Sequence, residues 1–232
     1  MAKNQNVALF GDKTQMPAIP AEDANLGNEN LDSSALATPQ IKLLQSLSPE
    51  LREFRDAGAT EGMLFNNVTK ELMDSVLCAN IYLETYVTVW KKRAEGGGKY
   101  GEFASEAEAV AHIATLENPS SYDAQETHKH YLVLLDPSTG EPVTPAVVYL
   151  KSSQLAVSRN WNTDILNRKA PRFASIWELG SRLERNRRND EYANYTVEFR
   201  GWASAELYAQ LKHTYMNVSA ARAPQPMREA AA

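Results

Sequence analysis

Cysteine occurs once in the 232 residues, as Cys78 in the apolar run "SVLCANIYL". A single cysteine excludes an internal disulfide and points to a reducing compartment. Its simplest role is that of a small buried hydrophobe. No apolar run approaches the roughly 20 residues of a membrane-spanning helix. The N-terminus has no apolar signal-peptide core either, so a cytoplasmic protein is expected. Catalytic signatures are equally scarce. The stretch "GGGKY" lacks the first glycine and the Ser/Thr of a phosphate-binding P-loop, because Arg93 stands where that glycine belongs. There is no Gly-x-Ser-x-Gly elbow, and Cys78 has no base near it in sequence. His128 and His130 form an HxH pair without a cysteine or carboxylate cluster, which reads as a strand-entry pair rather than a metal site. The expectation is a non-enzyme with no cofactor and no metal.

The composition that remains is globular, with 43% hydrophobic and 23% charged residues. That suffices for one sizeable core with appendages. Residues 1–38 carry two lysines against five carboxylates and no sustained periodicity. They cannot bury enough apolar surface to offset their ordering entropy, so a flexible acidic arm is expected there. The Ala/Pro-rich stretch from Ser219 reads as a second flexible tail. The expected division is thus an arm at 1–38, one domain at 39–217 and a tail at 218–232.

Thr38 and Pro39 resemble a helix start, and Pro49 limits that element. The segment "EGMLFNNVTKEL" is a short strand or a turn. From Ser75 the strand signal is clear: Ile81, Leu83, Val87 and Val89 take one face, while Tyr82, Glu84, Tyr86, Thr88 and Trp90 take the other. A long excursion containing a short helix (105–117) follows. Strands are expected at 130–136 and 145–151, with a helix at 152–168 that stacks Val157, Trp161 and Ile165. Two more strands come next, one with Phe173, Trp177, Leu179 and Leu183 on a shared face, the other with Tyr195, Val197 and Phe199 opposed to Thr196, Glu198 and Arg200. A helix at 205–216 closes the domain.

This order suggests an α+β protein built as an OB-like, mostly antiparallel β-barrel with appended helices and disordered termini. An OB-fold binds its ligands on one sheet face and on the loops after strands 1 and 4. In this chain those loops carry "WKKRAEGGGKYG" and "RNRRND". Single-stranded nucleic acid requires cations for phosphates and flat side chains for bases. Tyr82, Tyr86 and Trp90 supply rings; the other reading is that they cover a helix. Lys91, Lys92, Arg93 and Lys99, with Tyr100, form either a solvated loop or a mobile arm that grips an anionic strand, with Gly96, Gly97 and Gly98 permitting close approach. The net charge is −5, yet from Lys151 to Arg188 nine cations face three carboxylates. Lys151, Arg159, Arg182, Arg185, Arg187 and Arg188 are therefore candidate phosphate contacts.

The stretches "IKLLQSLSPEL", "NNVTKEL", "VWKKRAEGGGKYGEF", "SRNWNTDI" and "NRRNDEYANYTVEFRGW" resemble single-stranded-DNA-binding proteins of tailed bacteriophages. The resemblance covers roughly Ile41 to Trp202. It implies a non-catalytic accessory of replication, recombination or transcription in the infected cell. Its partners would be single-stranded DNA and a polymerase or another replication or transcription protein, with no membrane involved. Some phage proteins of this type act as RNA polymerase cofactors at melted promoters, and a structural or assembly role is the alternative from another class. Many single-strand binders end in an acidic recruiting tail, whereas this chain ends "PMREAAA".

Overall fold

The computed structural model describes residues 37–185 and 189–222. The described residues form one unit beginning at Thr38. Arg187, Arg188, the expected N-terminal arm before Ala37 and the tail beyond Arg222 lie outside them.

Two antiparallel sheets carry the chain. The smaller contains β1 (Ile41–Leu43), β2 (Leu64–Asn66) and β3 (Leu72–Met73). The larger has the order β7-β6-β4-β8-β9, with β5 paired to β4. Its strands are β4 (Val76–Lys91), β5 (Lys99–Phe103), β6 (Tyr122–Leu135), β7 (Pro142–Lys151), β8 (Ser175–Arg185) and β9 (Glu191–Trp202). The helices are α1 (Glu50–Glu53), α2 (Glu106–Ala114), α3 (Leu155–Asn167) and α4 (Ala205–Arg222). The protein is therefore α+β with mostly antiparallel, open sheets.

The expected closed barrel is not formed: no ladder joins β7 to β9 among the described residues. Pro142 and Pro145 withhold two amide donors and mark β7 as an edge strand. The small sheet touches both outer strands instead. Val147 donates its amide to Pro39 at 2.8 Å. On the other side, the Gln45 side chain donates to the Ala193 carbonyl at 2.8 Å, and the Tyr195 hydroxyl donates to the Ile41 carbonyl at 3.2 Å.

The helix expected from Thr38 is the strand β1. Cap-like residues lose here to long-range pairing, since Ile41 and Leu43 face Asn66 and Leu64 and both are buried. Helix α2 follows expectation, with the Ser105 hydroxyl accepting from the Glu108 amide at 3.3 Å. Helix α4 continues to Arg222, past the boundary expected for the tail.

Strand β4 organises the domain. One edge pairs with β6 along nearly its whole length; the other pairs with β8 at Val76–Ala79 and with β5 at Val87–Trp90. Helix α3 seals one face, where Trp161 and Ile165 pack with Cys78, Leu132, Val148 and Leu150. Helix α4 packs Leu211 against Ala79, Ile81 and Val133. Helix α2 covers Val87 and Val89 with Ala109. Each large aliphatic side chain buried this way contributes roughly 1.5–3 kcal/mol relative to exposure. Phe173 does not share a face with Trp177 and Leu179: it lies in the helical turn Arg172–Ala174 ahead of β8, outside the strand's alternation, and joins the α4 cluster. Leu183 is exposed.

Candidate nucleic-acid interface

The segment from Trp90 to Phe103 is a β-hairpin rather than a mobile arm. Gly96, Gly97 and Gly98 have φ of 104°, 68° and 110°, a left-handed run that residues with a Cβ rarely adopt. The turn closes on itself as the Gly97 amide donates to the Lys92 carbonyl at 3.0 Å and the Lys91 amide to the Gly98 carbonyl at 2.9 Å. Lys92 donates its ammonium to the Ser120 carbonyl at 2.7 Å and lies 3.6 Å from Asp123. Arg93 is exposed in the turn. Tyr100 packs edge-on against Tyr122, ring centroids 4.6 Å apart, away from Trp90. Lys91 follows Trp90 on β4 and so occupies the opposite face.

The alternation expected for β4 holds from Tyr82 onward. A bulge at Asn80/Tyr82 resets the pleat, and no further shift interrupts the β4–β6 ladder to Lys91. Tyr82, Glu84, Tyr86, Thr88 and Trp90 therefore share a face, and the registers add Tyr131, Lys129 and Thr127 from β6 and Tyr149 and Lys151 from β7. This face opens into a cleft of about 510 Å³ lined by Tyr86, Trp90, Tyr149, Lys42, Lys99 and Lys151, among others. Trp90 is 37% exposed, and the Lys151 ammonium lies 5.6 Å from its ring centroid. Lys129 sits 4.6 Å from the Tyr131 ring and 5.6 Å from that of Tyr149. Burial, reinforced by the Glu102 carboxylate, holds the Tyr86 phenol well above its ordinary range, so it stays neutral. The cleft contains one carboxylate, Glu102, which is paired with Lys99 at 2.7 Å; Lys42 is paired with Glu50 at 2.9 Å.

Of the candidate residues, the structure brings Tyr86, Trp90, Lys99 and Lys151 together in this cleft. Tyr82 lies further along the same face, 6.0 Å from Tyr131, next to α4. Arg159 is held at 2.8 Å by Glu126, on the α3 side of the sheet. Arg182 is paired with Glu184 at 2.6 Å and Arg185 lies 3.9 Å from Glu191, both on the β8–β9 hairpin and neither lining the cleft. In the same segment the Arg168 guanidinium stacks 3.4 Å from the Phe199 ring centroid and pairs with Asp164. Lys42, Lys129, Tyr131 and Tyr149 were missed. For Lys129, Tyr131 and Tyr149 the signal is period-two alternation in "THKHYL" and "VVYLK", which becomes a surface only once the register is known.

The opposite face holds a directed hydrogen-bond chain. Asn80 Nδ2 donates to His130 Nδ1 at 2.9 Å, which leaves His130 Nε2 to donate to Ser158 Oγ at 2.7 Å. The Ser158 hydroxyl then donates to His128 Nδ1 at 2.6 Å, and His128 Nε2 donates to Glu126 at 3.0 Å. Trp161 stacks on His130 with ring centroids 4.8 Å apart. Burial, with Arg172 and His128 adding, pushes the His130 imidazole down to about 3, so it is neutral. Ser158 has zero exposure, which leaves no approach for a substrate. Both histidines of the HxH pair are thus spent on joining β6 to α3. Among the described residues no group of His, Cys, Asp and Glu is placed to hold a metal ion, and no helix is long and apolar enough to cross a membrane. Cys78 is fully buried and its thiol is pushed up to about 12.

The molecule is an α+β protein whose open antiparallel sheet is sealed by α2 and α3 on one face, while the other is covered by α4 at one end and presents rings and ammonium groups at the other. The Pam3 phage gp34-like protein family matches residues 9–224, and the chain belongs to that family of bacteriophage proteins. No curated protein and no solved structure matches it.

Proposed function

We propose that this protein binds single-stranded DNA without catalysis, in phage replication, recombination or transcription in the host cytoplasm. The observation that carries the reading is the cleft in which Tyr86, Trp90 and Tyr149 converge with Lys42, Lys99 and Lys151. Rings on a half-open sheet face stack on bases of any sequence, contributing about 1–3 kcal/mol per base. The ammonium groups supply the phosphate contacts, and the Lys99–Glu102 pair is exposed enough to exchange its carboxylate for phosphate. Duplex DNA presents no unstacked bases to such rings, so discrimination against it follows.

The sheet order is not that of a closed OB barrel, but the mode of binding is the one such sheets use: a ringed face flanked by cations. A replication or transcription protein that shares the strand is the expected protein partner. The test is fluorescence anisotropy of the purified chain with labelled single-stranded DNA, duplex DNA and RNA in moderate salt. Single-stranded DNA should bind tightest. Absence of binding to all three would favour a structural or assembly role and end this reading.

A further inference from the structure

A second cavity, of about 570 Å³, lies where β4 has no strand on its outer edge, between the segments paired with β8 and with β5. Tyr82 lines it from β4, Phe173 and Arg172 from the turn before β8, and Tyr208, Lys212 and Tyr215 from α4. The rings form a cluster, with Phe173 5.3 Å from both Tyr208 and Tyr215. Two cations and no carboxylate line this cavity. Arg172 makes no ion pair with a described carboxylate, and its Nη1 is buried without a hydrogen-bond partner. A partly buried guanidinium without a counter-ion is costly, so an anion from outside is the partner this site lacks. Four rings beside two cations suit an anion that carries a flat ring.

We infer that this cavity is a second nucleotide subsite, which takes a base among Tyr82, Tyr208 and Tyr215 and its phosphate between Arg172 and Lys212. The inference rests on the single-strand reading of the Trp90 cleft and gives that strand its path. Tyr82 and Trp90 share a face of β4 and are eight residues apart, about 27 Å at strand rise. Between them run Tyr131, Lys129, Tyr149 and Tyr86. Glu84, the carboxylate within this row, accepts from the Tyr131 hydroxyl at 2.7 Å and lies 3.9 Å from Lys129. One strand can thus be held at both ends, with stacking rings at each and a neutralised middle. The two subsites then act as linked modules whose effects on affinity multiply.

The test uses the full chain and labelled oligothymidylates at the two ends of the usual site-size range, about 4 and about 16 nucleotides. Lys212 is exposed on α4, so Lys212→Glu leaves the packing intact; Tyr215→Leu supplies an uncharged second variant. Both should weaken the long strand about tenfold and leave the short strand, which occupies the Trp90 cleft, within twofold of wild type. Long-strand affinity unchanged in both variants would overturn the second subsite while the cleft reading stands. Equal weakening of both lengths would also overturn it, because the effect would then be general. Failure of wild type to bind either length would overturn the subsite together with the single-strand reading, an outcome distinct from the other two.

Discussion

Four consecutive residues of β6 show the two faces of the sheet side by side. His128 and His130 point inward, where a serine, an asparagine and a tryptophan fix both tautomers and exclude solvent. Lys129 and Tyr131 point outward into a row of rings and ammonium groups. The same strand thus carries a buried hydrogen-bond chain on one side and a half-buried row of rings and ammonium groups on the other. The difference teaches where to look for function in this fold. Within the stretch of dense charge from Lys151 to Arg188, Arg159, Arg168, Arg182 and Arg185 are paired with carboxylates of the fold. Charge scattered through the chain, at Lys42, Lys99, Lys129 and Lys151, converges on the open face.

The largest effect should come from breaking the sealed face. Trp161→Ala removes a ring that is 2% exposed and stacked on His130. It should cost about 3–5 kcal/mol of folding stability. Urea denaturation checks this, and the folded fraction should bind strands as wild type does.

Acid should act on the same face. Because His130 is held near 3 in the folded chain against an ordinary 6.5, the unfolded chain binds more protons below pH 6.5. Stability is therefore full above about 6.5 and falls as pH drops toward 3, by up to about 1.4 kcal/mol per pH unit. The interval from pH 6.5 to about 5.5 reports this histidine before glutamates with an ordinary value of 4.5 begin to titrate. Thermal melts that stay flat across it would show that the inward face tolerates charge.

On the open face the sign of the comparison reverses. Trp90→Ala should weaken single-strand binding by about 1–3 kcal/mol, as a stacking ring does, with a melting temperature near that of wild type. A ring that belonged to the core would instead lower the melting temperature and leave affinity per folded molecule unchanged.

Arg159→Ala should do least. It breaks an exposed pair with Glu126, worth roughly 0.2–1 kcal/mol, on the face turned away from the cleft. Anisotropy titration should find strand affinity unaltered, although the residue belongs to the basic segment.

Local pattern carried much of this fold. Alternation from Tyr82 to Trp90 marks both faces of β4, and a serine cap with glutamate three residues on marks α2. What failed depended on partners distant in sequence. Ile41 to Leu43 became a strand through β2, which a Thr-Pro start does not reveal. Strand β5 was hidden by three glycines that read as loop but serve as a hairpin turn. Trp90 was found because its own strand announces it, whereas Tyr149 and Lys129 join it only through the β4–β6–β7 register. Charge density singles out Arg182 and Arg185, whereas their pairing with Glu184 and Glu191 on the β8–β9 hairpin shows only in the structure.

The most direct test sets the open face against the basic hairpin in one measurement, the salt dependence of single-strand affinity. Each phosphate neutralised on a single strand contributes about −0.7 to the slope of log affinity against log salt. The pair Lys99→Gln and Lys151→Gln, both lining the cleft, should make that slope shallower by about 1.4, two such contributions. The pair Arg182→Gln and Arg185→Gln should leave it as in wild type. A slope unchanged by the first pair and flattened by the second would move the strand to the hairpin and contradict the account.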